Sequence, residues 1–440
     1  MAHIMPFRGT RFTQRAGALD VLVTLPYDRI EHGLQDEYYN RSEYNICRVI
    51  KGREFETDTP DDNVYTRAAM AWRDWLHAGI VAEDPEPAIY AYYQTFDVGG
   101  REFTRRGFIA MVELEDYSSG GVKPHERTLE GPKADRLNLL KETHTHFGQI
   151  FQLYRDDDNE VADLLADYTS REPLAEAGIP EQSRVTHRIW PVTDPTAIRA
   201  LQETMESRPL FIADGHHRYE TALNYRNYML QDYTGTITGH DPRYAMMTMV
   251  GMSDPGLVVL PTHRVIHDVA NFDIQRMLAG LGAWFSVQEL QSFEQVEQHL
   301  AVAKSEHHNG YGLYWGGRFW YFELKDRAVM EQLCPDQGKA WRSLDVAVLH
   351  ELVLERVLGI SKQAQAAKAN ISYERVARQA MEDVDDGTHQ AAVFMNPTKL
   401  EQIRRVAGRG EMMPQKSTDF YPKLVTGLVA CQVDPGPRKI

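Results

Sequence analysis

Apolar residues recur along this chain in short runs and in helical stripes. Runs bounded by turn residues predict buried strands at 18–25, 88–96, 107–115, 149–154, 186–192, 244–252, 391–395 and 424–429. Stripes at helical spacing predict helices over 61–78 (Val64, Ala68, Ala71, Trp72, Trp75, Leu76), 134–145, parts of 272–308, and 344–358, with Gly79 and Gly359 as stops. The pairs Gly99-Gly100 and Gly316-Gly317 sit between strand runs and predict hairpins. Asp194-Pro195 and Pro397 read as helix starts. The polar stretch 155–183 reads as surface. The alternation predicts an α/β (α+β) fold with a mixed-sheet core. It also suggests a main α/β domain over 5–265, a smaller α/β insert over 266–340, and a C-terminal segment over 341–440 that packs back on the main domain.

One stretch concentrates chemistry. Leu210-Phe211-Ile212-Ala213 ends in Asp214-Gly215, then His216-His217-Arg218 open a helical pattern through Tyr219, Ala222 and Leu223. The order predicts strand, tight turn, helix. Gly215 can take a backbone conformation closed to other residues. A helix start offers free N–H groups and the positive dipole end, a ready site for phosphate. Cationic side chains there oppose the dipole unless an anion is bound. A plain capped turn accounts for the same residue types.

Further polar groups stand after apolar runs. His125-Glu126-Arg127-Thr128 form a loop that suits substrate binding or general acid–base work, though a solvated loop looks similar. His263-Arg264 and Asp28 are weaker candidates. Near the end, Pro414-Gln415-Lys416-Ser417-Thr418 precede Phe420-Tyr421-Pro422-Lys423. Two lysines and two hydroxyls there suggest an ordered loop for an anion.

Composition narrows the partners. The net charge of −15 argues against general binding to nucleic acid or anionic membrane. The cysteines, Cys47, Cys334 and Cys431, are widely spaced and contain no CxxC pair, which suggests a reducing compartment. No apolar run reaches transmembrane length and no signal-peptide core is seen at the start, so the cytoplasm is expected. The sequence leaves the oligomeric state open.

Pro6-Phe7-Arg8-Gly9, His125 to Thr128, Ala213 to Ala222, and the Pro414–Thr418 and Phe420–Lys423 segments together resemble the prokaryotic family called domain of unknown function 1015. More narrowly, Asp-Gly-His-His-Arg is similar to the signature of free-serine kinases built on the ParB/sulfiredoxin fold. That resemblance implies a ParB/sulfiredoxin-like strand-turn-helix element binding nucleotide phosphates. It implies that Asp214, His216, His217 and Arg218 serve phosphoryl transfer from ADP or ATP to an amino-acid hydroxyl. The kinases' separate catalytic glutamate has no aligned position; Glu126 is the candidate.

The leading expectation is thus a nucleotide-dependent phosphotransferase acting on a small hydroxylated metabolite, with free L-serine a candidate. Helix N–H groups at Gly215, Arg218 and a histidine would hold the phosphate, Mg²⁺ would neutralise it, and Asp214 or Glu126 would take the acceptor proton. Lys416 and Arg8 are further phosphate ligands, with Ser417 and Thr418 beside Lys416. No GxxxxGK[ST] sequence is present, so this is not a P-loop kinase. Two alternatives remain. In a metal-dependent hydrolase of a small phosphorylated substrate, His216, His217, Asp214, His125 and Glu126 would ligate Zn²⁺ or Mn²⁺. Adjacent helical histidines diverge by about 100°, however, and HExxH is missing. A non-enzymatic nucleotide-binding ParB-like regulator would need a basic face. The phosphotransferase reading expects His125, Glu126, Asp214 to Arg218 and Lys416 in one pocket.

Overall fold

The two glycine-linked runs at 88–115 form the centre of a large sheet. A computed structural model describes residues 2–126, 130–230 and 240–433. Its principal strands are β1 (Ile4–Met5), β2 (Ile89–Val98), β3 (Arg101–Glu113), β4 (Val122–Lys123), β5 (Ile150–Tyr154), β6 (Ala175–Ala177), β7 (Val185–Val192), β8 (Leu210–Asp214) and β9 (Tyr244–Gly251). They pair in the order β4-β8-β5-β9-β3-β2-β7-β6, with β1 also pairing β3. β8 with β4 and β5 with β9 run parallel, and the other pairs are antiparallel, so the sheet is mixed. Gly99 and Gly100, with φ of 62° and 78°, make the tight β2–β3 turn that only a left-handed pair allows.

Side chains alternate between the faces of this sheet. One face is apolar: Ile89, Ala91, Phe108, Ala110, Ile212, Ala245 and Met247 form one core with Val161, Leu165, Ile198, Leu201, Tyr219 and Ala222 from helices Glu160–Thr169, Pro195–Glu206 and His216–Met229. The other face places Tyr92, Gln94, Arg105 and His187 across adjacent strands, all of them buried. Helix α1 (Val64–His77) is held at its start by Asn63, which caps Tyr65 and Thr66. Its Trp72 and Trp75 join a second core that includes Phe147 and Leu139, the latter from α2 (Glu130–Thr143). Helix α3 is His216–Met229.

The chain forms two units. Met1–Lys123, Thr128–Val258 and Pro422–Ile440 make the first, and Pro124–Arg127 with Val259–Tyr421 make the second. The second holds an antiparallel sheet of β10 (His263–Ile266), β11 (Phe285–Leu290), β12 (Gly310–Trp315), β13 (Arg318–Leu324), β14 (Ile371–Glu374) and β15 (Ala391–Met395). Their order is β11-β13-β12-β15-β10-β14. This pairing draws 371–395 into the same sheet as 263–324, so the division falls elsewhere than at the expected borders of 266–340 and 341–440. Only the segment from Pro422 onward returns to the first unit.

Several local expectations change. The run 18–25 is not a strand. It contains a short 3₁₀ turn at Leu19–Val21, and its carbonyls are met by loops: Asn45 Nδ2 donates to Val21 O at 2.7 Å and Ile46 N–H to Leu22 O at 2.8 Å. The run 424–429 is buried without a ladder, joined to the first run by a bridge between Thr24 and Thr426. Within 155–183, Asp156 is buried rather than on the surface. It caps helix Glu160–Thr169 and meets Arg208 at 2.7 Å. The stripe 344–358 is a short α-helix, Asp345–Val348, that widens into a π-helix over Leu349–Val357. Its middle is buried all round rather than amphipathic. β11 carries no apolar run, since its four central residues are exposed and only Val287 among them is apolar. The helix after Pro397 begins only at Leu400. No helix among the described residues is long and apolar enough to cross a membrane.

Candidate functional site

The Asp214 turn lies in the first unit. β8 pairs β5 with a register break between Ile212 and Asp214, an irregularity that re-aims the last side chain of a strand. Gly215 follows at φ 92° and caps α3. A side chain here would be strained by that φ, and its Cβ would also stand 3.0 Å from Arg218 Cζ, because Arg218 folds back over the turn. Arg218 is further fixed by donating to the Gln149 carbonyl.

Asp214 is the centre of a cationic cluster. Lys423 Nζ lies 2.8 Å from Asp214 Oδ2, and Arg218 Nη2 lies 3.8 Å from Oδ1. Burial pushes the Asp214 carboxyl up, but Lys423 and then Arg218, with Arg29 beyond them, outweigh it. They hold the group well below the usual carboxylate range. Asp214 is thus held ionised by a lysine and an arginine that converge on it.

The polar face of the sheet positions Lys423. Arg105 donates to Gln94 Oε1 and to Pro422 O, the latter at 2.6 Å. Gln94 Nε2 and Gln182 Nε2 donate to Lys423 O at 3.1 and 3.2 Å. The carbonyls on either side of the Lys423 Cα are thereby clamped. Tyr92 OH and Gln94 Nε2 stand 2.8 and 3.2 Å from His187 Nδ1. Burial, then the Arg105 charge, brings His187 down to about 3, so it is neutral at pH 7. Burial lowers Arg105 only to about 10, and it stays charged.

Beside the turn a cleft of about 590 Å³, open mouth included, is lined by Arg218 and Thr221 of α3, Arg136 of α2, and Tyr27 and His146. Arg136 stacks on Tyr27 with Cζ 4.1 Å from the ring centre. His146 is buried, which brings its pKa down to about 4. Its Nε2 has no hydrogen-bond partner among the described residues. Arg136 and His146 belong to no motif in the sequence, whereas Lys423 is one of the two lysines of the C-terminal loop expected to take an anion.

Other expected residues fall elsewhere. His216 is buried in the first turn of α3, and His217 is half-buried. Arg8 is exposed, and its N–H donates to His240 Nε2 at 3.2 Å. In the second unit, His125, Glu126 and the 414–418 loop form their own assembly. His125 Nε2 lies 3.0 Å from Thr418 Oγ1, and Met413 N–H donates to His125 O at 2.6 Å. Ser417 N–H donates to Glu126 Oε1 at 3.3 Å. Lys416, at φ 56°, offers its carbonyl to Arg264 Nη2 at 3.0 Å. Of the two C-terminal lysines, Lys423 belongs to the first unit and meets Asp214, and Lys416 belongs to the second. The residues expected in one pocket are thus shared between two units. Arg127 and Thr128 lie outside the described residues. His263 and Arg264 stand within β10 and are buried, not in a loop after a strand. Among the described residues no group of three or more His, Cys, Asp or Glu gathers as a metal site.

The DUF1015 family model, described as a protein of unknown function, matches residues 4–347. The chain belongs to the DUF1015 family. No curated protein matches this DUF1015 chain. Among solved structures it is similar to a conserved hypothetical protein from Pyrococcus furiosus (15% identity, 73% of this chain and 95% of that one, TM-score 0.35). It is also similar to a free serine kinase in complex with AMP (11% identity, 74% and 92%, TM-score 0.37). A mutant free serine kinase in complex with ADP matches with TM-score 0.38 at 11% identity over the same shares. What those proteins bind is a property of those proteins.

Proposed function

We propose that this DUF1015 chain is a nucleotide-dependent phosphotransferase whose Asp214–Arg218 turn holds the phosphates of ADP or ATP. The acceptor is a small hydroxylated metabolite, free L-serine being the first to test. The observation that carries this reading is the gathering of Lys423 and Arg218, with Arg29 behind them, around the carboxylate of Asp214 at the start of a helix. Such a cup is complementary to a polyphosphate.

The roles follow from the geometry. The first-turn N–H groups of α3 and the Arg218 guanidinium bind phosphate oxygens, the guanidinium through paired donors. Lys423 neutralises charge that grows on the transferring group. Asp214 orients Lys423 and Arg218. As a general base it is poorly matched, because a base works best with a pKa near the operating pH and this carboxyl is held far below it. Mg²⁺ would arrive on the nucleotide and keep phosphate and water as its ligands, because Asp214 is already engaged by Lys423 and Arg218. The apolar part of the cleft between Tyr27 and Phe147 excludes water from the nucleoside end.

A thermal-shift screen with ADP, ATP, CTP and pyrophosphate, each with and without Mg²⁺, tests this. Ligand at a hundred times its Kd stabilises by about 2.7 kcal/mol. A shift with one nucleotide, lost in Arg218→Ala, is expected, followed by phosphoserine seen by phosphorus NMR. No shift with any of the four would overturn the proposal.

A further inference from the structure

The second unit contains a cleft that the phosphotransfer reading does not use. It encloses about 1150 Å³, mouth included, beside the π-helix Leu349–Val357. Long π-helical stretches are rare, and single π turns cluster at functional sites. This one sets consecutive residues, His350 and Glu351, on the cleft wall, both buried.

His350 is spoken for. Arg264 Nε donates to its Nε2 at 3.3 Å, and a hydrogen bond with Gln365 also reaches the ring. Glu351 is different. Its carboxylate, only 7% exposed, is met at 2.7 Å by Lys362 Nζ, and Arg356 lies at 3.3 Å. Lys362 is 66% exposed, so its stem lies in water and only its tip is used. The protein places an ammonium at a buried carboxylate on the cleft wall without burying the carbon chain that carries it. Elsewhere the lining includes apolar, polarisable side chains, Trp341, Met412, Met413 and Leu333. Trp341 is fixed by Nε1 donating to Met412 O at 2.9 Å.

We propose that this cleft binds a small amine with an apolar body, whose ammonium displaces Lys362 from Glu351 while its hydrocarbon or aryl part packs on Trp341 and Met413. Such a ligand gives Glu351 the same charge contact and adds apolar burial that Lys362 does not supply. Thioethers adapt to varied shapes, and an aromatic face favours a nearby cation. An anion is disfavoured. Lys362 and Arg356 are engaged by Glu351, Arg264 stands behind His350, and Asp336 adds a carboxylate to the lining.

Isothermal titration of the full chain with phenethylamine, 2-phenylethanol and 3-phenylpropionate separates charge from shape. Phenethylamine is expected to bind at least about tenfold tighter than the neutral and anionic analogues, and Glu351→Gln to lose that preference. Lys362→Ala removes the internal competitor from an exposed position, so it is expected to tighten phenethylamine binding about threefold or more. A purely structural Lys362–Glu351 pair would not give that gain. Equal binding of the three probes, no phenethylamine binding to wild type and Lys362→Ala, or weaker binding in Lys362→Ala would each overturn the proposal. These readouts are independent of nucleotide binding.

Discussion

Asp214 in the first unit and Arg264 in the second are both surrounded by ionisable groups, yet they sit in opposite situations. Asp214 retains 27% side-chain exposure and is flanked by Arg218 and Lys423. Arg264 is 1% exposed and spends its donors on neutral acceptors: the Thr262 and Lys416 carbonyls and His350 Nε2. It also lies over the Tyr373 ring with Cζ at 4.9 Å. The first is an ion cluster that water still reaches. The second satisfies a buried charge internally, which favours one conformation of the chain segments that supply the acceptors. Similar residue types in a motif therefore mean a partly open ion cluster in one place and a structural tie in the other, and burial with donor satisfaction distinguishes them.

The contrast is most exposed to an experiment at Arg264. Arg264→Met leaves several buried acceptors without donors and is expected to cost about 3 kcal/mol in urea unfolding, whereas Arg218→Ala should cost no more than about 1 kcal/mol. Equal costs would erase the distinction. Next in size is ligand response. Arg218→Ala and Lys423→Met are each expected to weaken nucleotide binding by about tenfold or more in thermal shift while Arg264→Met, where folded, keeps it.

Gly215→Ala sharpens the point further. A β-carbon at φ 92° and 3.0 Å from Arg218 is expected to destabilise by about 1–2 kcal/mol and to lower nucleotide affinity through the displaced guanidinium. Wild-type affinity in that variant would sever the turn from binding.

A further effect concerns pH, and it adds over three buried histidines. Burial brings His146 and His187 down to about 4 and 3, and His263, in the second unit, to about 4. The unfolded chain binds these protons near pH 6.5 and the folded chain does not. Stability is then fully present above about pH 6.5 and falls as pH drops toward 4 and 3. Urea midpoints that stay flat from pH 7 to 5 would remove this contribution.

How much the sequence reveals follows the range of the interactions. The strand, turn and helix around Asp214 are legible because their determinants are local: an apolar run, a glycine that accepts a positive φ, and a cluster of cations. The hairpin at Gly99-Gly100 is legible for the same reason. Lys423 is not, because it reaches Asp214 across 209 positions and is aimed by Gln94 and Arg105, which look like ordinary strand residues. Lys416 carries the same side chain in a richer-looking motif, but its backbone is used instead. The stripe at 344–358 has a helical period, yet nothing in that period tells an α-helix from the wider π-helix. The run 18–25 is apolar enough for a strand, but the partner for a ladder is a loop.

The path of the chain gives the Asp214 cup a history in time. Residues 259–421 belong to the second unit, and the chain re-enters the first only at Pro422. Lys423 is the second residue of that return. A ribosome synthesising this protein makes Asp214, Gly215 and Arg218 first, then 204 further residues before the lysine that joins them. Until that lysine emerges, the nascent turn has its carboxylate and arginine but lacks its strongest cation, so a partially made chain cannot engage a ligand that depends on all three.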